Sequence, residues 1–98
     1  MAQIVWSREA LHWLRDIHDY IAADSPTIAQ KVVTDIHEKA QTLAHFPKAG
    51  YLYRTATDQE IRILLYGHYR IAYLLGPSSD IAILGVFHGA LDIDRYFP

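Results

Sequence analysis

Residues 61–88 have the sequence IRILLYGHYRIAYLLGPSSDIAILGVFH, and this stretch decides the fold of the chain. It contains three runs rich in β-branched, aromatic and leucine side chains. The runs are residues 61–66, 69–75 and 81–88, separated by Gly67-His68 and by residues 76–80. Two β-type runs on either side of a two-residue glycine turn are typical of a β-hairpin. The stretch therefore predicts an antiparallel meander of three strands.

A two-residue turn at Gly67-His68 pairs Tyr66 with Tyr69, which fixes the residues that share each side of the sheet. One side then carries Arg62, Leu64, Tyr66, Tyr69, Ile71 and Tyr73, and the other carries Ile61, Ile63, Leu65, Arg70, Ala72 and Leu74. Both sets are mainly apolar, whereas an antiparallel sheet with one solvated side alternates apolar and polar residues. We therefore expect helices to cover one side and a binding partner to occupy the other. The alternative cover for the second side is the tail together with the segment 47–60.

The sequence before the meander predicts one strand and two helices. Residues 3–6 form a short β-type run, and Ser7 can cap a helix over residues 7–23, where apolar side chains recur every three or four positions. Ser25-Pro26 is a start signal for a second helix, which we expect to end at Phe46 because Pro47 follows. The break between the helices is short, so they form an antiparallel hairpin.

The remaining segments lack a sustained periodicity of apolar residues. Residues 47–60 predict a long connection. In the tail, four residues are spaced as in one or two helical turns. Those residues are Leu91, Asp92, Arg95 and Tyr96. The expected fold is α+β, with a single domain over residues 1–98. It has an N-terminal strand, a two-helix hairpin packed on a mainly antiparallel sheet of three to four strands, and a short C-terminal helical tail.

Composition excludes several classes of protein. The chain is 51% hydrophobic and 20% charged, which is too apolar for intrinsic disorder. Nine Lys and Arg residues against eleven Asp and Glu give a net charge of −2, so we expect no direct DNA binding by this chain alone. The sequence has no cysteine for disulfides or thiolate metal sites. It has no secretion signal and no membrane-spanning apolar run, so we expect a cytoplasmic protein without membrane association.

Charged and titratable residues offer few candidate sites. The six histidines include no pair three or four residues apart, so we expect no metal site, and no cofactor motif is present. Arg62 and Arg70 are the only charges within the three predicted strands. Each of them binds a target or forms a structural ion pair with an acid such as Asp35, Glu38 or Asp92. His88 ends the last strand. Its imidazole either transfers protons as an acid or base, or forms a hydrogen bond that supports the chain reversal after the strand.

The order of elements and several motifs resemble the RelE/ParE superfamily of toxins from type II toxin–antitoxin systems over nearly the whole chain. The matching positions are Ala10-x-x-x-Leu14-x-x-Ile17-x-x-Tyr20-Ile21, Leu43-x-x-x-Pro47-x-x-Gly50, Arg62, Tyr69-Arg70-Ile71-x-Tyr73 and Ile81-x-Ile83-Leu84-x-Val86-x-His88-x-x-Leu91-Asp92. The resemblance implies a small toxin that an antitoxin neutralises by wrapping an extended segment around it. The antitoxin-binding groove is then the second apolar side, with Ile61, Ile63, Leu65, Ala72 and Leu74.

The two branches of this superfamily differ in their target. RelE-like members, by this resemblance, cleave messenger RNA on the ribosome with basic residues on the exposed side of the sheet. Ile61 and Ile63 stand at the strand positions where that branch has lysines, and Gly89 and Ala90 follow the last strand where it tends to have basic groups. Such a ribonuclease would have to use Arg70, His88 and Tyr96.

ParE-like members instead inhibit DNA gyrase by protein contact. Their last strand runs through Val-x-His into a Met/Leu-Asp step, as Val86, His88 and Leu91-Asp92 do here. The resemblance therefore favours a gyrase inhibitor from a plasmid-stabilisation module, with no catalytic residues and no cofactor. Arg62, Arg70 and His88 would then contact the target or support the fold. The alternative is a RelE-type ribosome-dependent mRNA endoribonuclease.

Overall fold

The computed structural model describes residues 3–78, 80–89, 91 and 93–97. Two helices and five strands follow one another along the chain. They are β1 (Ile4–Trp6), α1 (Arg8–Ala22), α2 (Pro26–Gln41), β2 (Tyr51–Ala56), β3 (Gln59–Tyr66), β4 (Tyr69–Leu75) and β5 (Ile81–His88). Short 3₁₀ helices at Thr42–Ala44 and Ile93–Arg95 complete the described elements, and the second of them is the helical turn in the tail.

The five strands form one sheet in the order β1-β5-β4-β3-β2. Strand β1 is parallel to β5, and all other neighbours are antiparallel. Tyr66 lies opposite Tyr69 and Ile61 lies opposite Leu74, which confirms the register predicted from the Gly67-His68 turn. Gly67 has a φ of +56°, and a positive φ at the first turn position is the reason a tight hairpin needs glycine there. The α+β fold and the meander are confirmed.

The prediction of a long connection over residues 47–60 is wrong. Strand β2 occupies much of that segment and pairs with β3, so the sheet has five strands and not three to four. The register shifts between Leu52 and Arg54, which marks a bulge at Tyr53. An edge strand with a bulge buries few of its side chains, and Tyr51 and Leu52 are each 49% exposed. It therefore lacks the apolar alternation by which buried strands are predicted.

Serine caps fix the start of both helices, as the sequence predicts. The amide of Ala10 donates to Ser7 Oγ at 3.0 Å, and the amide of Ile28 donates to Ser25 Oγ at 3.3 Å. Helix α2 ends earlier than expected, because the chain tightens into the 3₁₀ helix before it reaches Pro47. This tightening satisfies backbone groups at the helix end.

The two sides of the sheet bury different clusters of side chains. The side against α1 and α2, which we term the helix face, carries Leu64, Ile71, Tyr73, Ile83 and Val86, all buried with Leu14 and Ile36 of the helices. The opposite side, which we term the tail face, carries Ile63, Ala72 and Phe87, buried with Ile93 of the C-terminal segment. Both sides of the sheet are therefore part of a core.

Candidate functional site

The C-terminal segment, residues 91 and 93–97, covers the middle of the tail face. Ile63 and Ala72 are 1% and 0% exposed beneath it, although the sequence analysis assigned both to an open antitoxin-binding groove. Ile93 and Phe97 pack against this cluster together with Tyr53 of β2. The alternative cover, by the tail together with the segment 47–60, therefore holds for the centre of this face, and antitoxin binding at Ile63 and Ala72 stays a prediction.

Arginine side chains and aromatic rings hold this segment in place. Arg54 Nη1 donates to the carbonyl of Phe97, and Arg70 Nη2 donates to the carbonyl of Leu91 at 2.5 Å. The ring of Tyr96 stacks on Phe87 with centroids 5.3 Å apart, and it meets Trp13 of α1 edge to face at 5.2 Å. Charge-assisted hydrogen bonds to carbonyls are stronger than neutral ones, so both ends of the segment are anchored.

An apolar strip remains uncovered at the other end of the tail face. It consists of Val5, Ala82, Leu74 and Ile61, which lie side by side across β1, β5, β4 and β3. Val5 is 54% exposed and the other three are partly exposed. Val5, Leu74 and Ala82 also line a shallow hollow of about 350 Å³. The sequence analysis missed Val5 and Ala82, because it did not predict that the first strand pairs with the last.

The five residues predicted to bind the antitoxin therefore separate into three locations. Ile61 and Leu74 face each other in the apolar strip. Ile63 and Ala72 lie under the C-terminal segment. Leu65, 57% exposed, lies opposite Arg70 at the far end of the tail face.

Arg62 supports the fold, but through a different acid from those proposed. Its Nε donates to Glu60 Oε1 at 2.8 Å, and its Nη1 donates to the carbonyl of Gly50 at 2.7 Å. The hydrogen bond from Arg62 lowers the pKa of Glu60. The sequence analysis named Asp35, Glu38 and Asp92 as partners, and Asp92 lies outside the described residues. Arg62 therefore connects β3 to the loop before β2.

Asp35 instead joins α2 to the sheet. Its Oδ2 accepts hydrogen bonds from Lys31 Nζ at 2.8 Å and from the hydroxyl of Tyr66 at 2.9 Å. Both hydrogen bonds lower the pKa of Asp35, and the bond from Lys31 has the larger effect. The bond to Asp35 raises the pKa of Tyr66. This group of three side chains is structural, because it lies between α2 and β3 on the helix face.

Comparison with known proteins identifies the family. Residues 4–93 match the family described as the ParE toxin of type II toxin–antitoxin system, parDE. The chain belongs to the ParE toxin family. This membership confirms the superfamily that the sequence motifs indicated, and it places the chain among the toxins of type II toxin–antitoxin systems.

Similar proteins carry the names of both branches. Toxin RelE2 of Caulobacter vibrioides is 41% identical over 64 residues, which cover 65% of this chain and 72% of that toxin. The chromosomal ParDE toxin–antitoxin system from P. aeruginosa superposes with a TM-score of 0.69 at 23% identity, covering 90% of this chain and 96% of the other. The RelBE2 toxin–antitoxin complex from Mycobacterium tuberculosis superposes with a TM-score of 0.63 at 19% identity, over 89% and 96%. The two superpositions confirm the fold of this ParE-family chain.

Two of the three residues proposed for a ribonuclease lie together in the toxin. Arg70 and His88 line one hollow of about 320 Å³ at the end of the sheet, where His68 of the β3–β4 turn joins them. Tyr96 lines a different surface, because its ring packs between Trp13 and Phe87. The sequence analysis missed His68, since it predicted the meander without the register of β4 against β5, and this register places Tyr69 opposite His88.

Another pocket of the toxin, of about 880 Å³, lies elsewhere. Its walls are residues 46–49, the β2–β3 turn and the end of β4, and Lys48, Asp58 and Glu60 supply its charges. It contains none of the residues that the sequence analysis singled out as site residues.

Within the described ranges no three His, Asp or Glu side chains form a group that could hold a metal ion. No helix in those same ranges is long and apolar enough to span a bilayer.

Proposed function

We propose that this toxin inhibits DNA gyrase by protein–protein contact and is neutralised by a cognate antitoxin in a plasmid-stabilisation module. The family match over residues 4–93 supports the ParE type of action. The observation that carries the proposal is the apolar character of the tail face, where Ile61 and Ile63 occupy positions that would hold cations in a ribonuclease. A contact inhibitor needs a complementary surface and no catalytic group. Its action on gyrase would take place in the cytoplasm.

The electrostatics of the tail face support the same assignment. Phosphoryl transfer needs several positive groups preorganised around the developing negative charge. Arg70 donates its Nη2 hydrogens to the carbonyls of Leu91 and Gly89, at 2.5 and 3.4 Å. The ring of Tyr96 packs against Phe87 and Trp13.

The ribosome-dependent ribonuclease is the second candidate. The 41% identity with a protein named Toxin RelE2 favours it, and so does the common hollow of Arg70 and His88. In that mechanism Arg70 would stabilise the negative charge on the scissile phosphate, and His88 would transfer a proton.

One experiment separates the two targets. The purified toxin is incubated with DNA gyrase, ATP and supercoiled plasmid, and in parallel with a translating extract and a reporter message. We expect gyrase-dependent double-strand breaks in the plasmid and an intact message. Cleavage of the message at codon positions, with gyrase unaffected, would overturn the proposal and establish the ribonuclease.

Substitutions at Arg70 and His88 sharpen this comparison. For a gyrase inhibitor, Arg70→Ala and His88→Ala reduce potency only as far as they alter the surface or the stability of the fold. For a ribonuclease, Arg70→Ala abolishes message cleavage while antitoxin binding persists. Unfolding curves of both variants separate loss of structure from loss of activity.

For the antitoxin we propose that the apolar strip is the docking surface. Extended segments gain affinity by placing apolar side chains against exposed apolar strand positions. Val5, Ile61, Leu74 and Ala82 provide such positions without displacing the C-terminal segment. Leu65 belongs to the proposed site only if the antitoxin also reaches the far end of the tail face.

The docking proposal is tested at Leu74. We expect Leu74→Asp to weaken binding of the purified cognate antitoxin by at least tenfold, because a charge would be buried in the interface. Leu11→Asp is the matched control, since Leu11 is 52% exposed on α1. Titration calorimetry measures both affinities. Ile63→Asp cannot serve here, because Ile63 is buried in the free toxin and the substitution would unfold it. Unchanged affinity of a folded Leu74→Asp variant would place the antitoxin elsewhere.

A further inference from the structure

The pocket of about 880 Å³ beside the β2–β3 turn has an accessible aromatic ring on one wall. We term this cavity the end pocket, because it lies at the end of the sheet where β4 stops. Phe46 lines it and is 67% exposed. Pro47, Leu75 and Pro77 add further apolar side chains to the walls. The end pocket therefore offers apolar surface to a ligand, with a phenylalanine ring as its largest exposed contact area.

The wall that carries Phe46 is tied to the sheet by hydrogen bonds. The hydroxyl of Tyr73 donates to the carbonyl of Pro47 at 2.6 Å and accepts from the amide of Gly50 at 3.1 Å. Arg62 Nη1 donates to the carbonyl of Gly50 at 2.7 Å. A wall that is ordered before binding loses little conformational freedom when a ligand arrives, and this preorganisation favours affinity.

The charges on the walls favour a cationic ligand. Glu60 accepts a hydrogen bond from Arg62 at 2.8 Å, and Lys48 is a second positive charge close to it. Asp58 is exposed, and no hydrogen bond or ion pair joins it to another residue within the described ranges. A carboxylate and an accessible aromatic ring in one pocket suit a side chain with an apolar stem and a cationic head. Lysine and arginine are the two side chains of this kind.

The end pocket adjoins the apolar strip to which we assign the antitoxin. Gln59, Gly76 and Pro77 line both the end pocket and the hollow of about 350 Å³. That hollow also contains Val5 and Leu74 of the apolar strip. An extended segment that crosses the strip and passes over the three shared residues therefore arrives at the end pocket. This continuity identifies the antitoxin as the occupant.

We propose that the end pocket receives a lysine or arginine side chain of the antitoxin. The cationic head binds the Asp58 carboxylate, and the apolar stem packs on the ring of Phe46. The inference rests on the proposed docking of the antitoxin at the apolar strip and extends it around the end of the sheet. A charged contact adds specificity to an interface that is otherwise apolar.

Titration calorimetry of the full-length toxin with the purified cognate antitoxin tests the proposal. We expect Phe46→Ala to weaken binding at least tenfold through lost packing, and Asp58→Lys to do so through repulsion of the cation. Tyr20→Ala and Asp16→Lys are the matched controls, since both residues are exposed on α1 and line neither cavity. The controls should bind as tightly as the unsubstituted toxin. All four positions are exposed, and urea denaturation verifies that each variant is folded.

An exchange of charges tests the cation directly. Each lysine and arginine of the antitoxin is replaced in turn by glutamate, and the variants are titrated into the Asp58→Lys toxin. We expect one of them to bind this toxin at least tenfold more tightly than the unsubstituted antitoxin does. The proposal is overturned if no replacement does so, or if the folded Phe46→Ala and Asp58→Lys toxins retain full affinity.

The Leu74→Asp variant separates this inference from the docking proposal on which it rests. Weaker binding by Leu74→Asp, with full affinity of both end-pocket variants, would overturn the end pocket and leave the apolar strip as the docking surface. The opposite pattern would support the end pocket and remove the strip. None of these measurements involves gyrase or the ribosome, so they are independent of the target of the toxin.

Discussion

Tyr73 joins the sheet to the loop before β2 through its hydroxyl group. The hydroxyl donates to the carbonyl of Pro47 at 2.6 Å and accepts from the amide of Gly50 at 3.1 Å, and the side chain is fully buried. Burial raises the pKa of Tyr73, so the neutral hydroxyl is maintained. Gly50 is required next to it, since a Cβ there would lie 2.7 Å from the carbonyl oxygen of Ile63.

We therefore expect Tyr73→Phe to lower the free energy of unfolding by about 1–3 kcal/mol, because it leaves the buried amide of Gly50 and the partly buried carbonyl of Pro47 without this partner. Urea denaturation measures the loss. Tyr20→Phe is the control, since Tyr20 is 85% exposed and its loss of a hydroxyl should have no measurable effect. Equal stability of the two variants would show that water replaces the hydroxyl of Tyr73.

The carboxylate of Asp35 makes stability depend on pH. Its pKa is lowered in the folded state by Lys31 and Tyr66, so the folded protein holds the charged form more strongly than the unfolded chain does. This stabilisation is complete above the ordinary aspartate pKa of about 4 and is lost as the pH falls through the lowered folded-state value. Asp35→Asn should therefore reduce the loss of stability with falling pH between about pH 5 and pH 2.

Urea denaturation at a series of pH values measures this loss. Asp16→Asn is the control, since Asp16 is exposed. An acid limb as steep as that of the parent protein would contradict the assignment.

Among the elements, the β2–β3 hairpin contains a strained residue. Thr57 has a φ of +52°, which β-branched side chains rarely adopt. The left-handed conformation costs a residue with a Cβ about 1–2 kcal/mol, whereas glycine adopts it freely. Thr57→Gly also makes the unfolded chain more flexible, and this offsets about half of the stability gained by relieving the backbone strain.

Thr57→Gly should therefore raise the melting temperature by a few degrees, corresponding to about 0.5–1 kcal/mol. The matched control is Asp58→Gly at the next turn position, which does not have a positive φ and should be neutral or destabilising. A lower melting temperature for Thr57→Gly would mean that the threonine side chain stabilises the hairpin by a contact that outweighs its backbone strain.

The elements also differ in how far sequence predicts them. The meander is predictable because Gly67 fixes the turn and hence every cross-strand pair up to Ile61 and Leu74. The helices are predictable from Ser7 and Ser25 and from their apolar period. Strand β2 is not, because an exposed edge strand needs no apolar alternation.

The candidate site is less predictable than the fold. Register places Ile63 and Arg70 on one side of the sheet, but it does not show what packs against them. Burial of Ile63 depends on Ile93 and Phe97, which are distant in sequence and contribute through tertiary packing. The position of His68 beside His88 likewise depends on the register of β4 against β5, which shifts between Ala72 and Tyr73.

At the scale of the whole molecule, the C-terminal segment acts as the second layer of the core. Ile93 is 5% exposed and packs on Ile63, Ala72 and Phe87, whereas nearby Leu91 is 37% exposed. Removal of a buried isoleucine side chain costs about 2–5 kcal/mol. We expect Ile93→Ala to lower the free energy of unfolding by that amount and Leu91→Ala to lower it by less than about 1 kcal/mol.

Guanidinium denaturation of both variants provides the measurement. Binding of a dye that fluoresces on apolar surfaces should also rise for Ile93→Ala, because the tail face would open. If both variants were equally stable, the segment would be a loosely held cover and the whole tail face would be accessible in the free toxin.

The parallel pairing of β1 with β5 has a consequence for the order in which the toxin assembles. The amide of Ile81 donates to the carbonyl of Gln3, and the amide of Ser7 donates to the carbonyl of Ile83, so the earliest described residues bind some of the latest. A contact of such large sequence separation closes slowly during folding. A nascent chain that emerges from a ribosome amino end first therefore holds β1 and the start of α1 without their neighbour throughout most of translation. The complete sheet, and with it every surface formed across several strands, arises only once β5 has been synthesised.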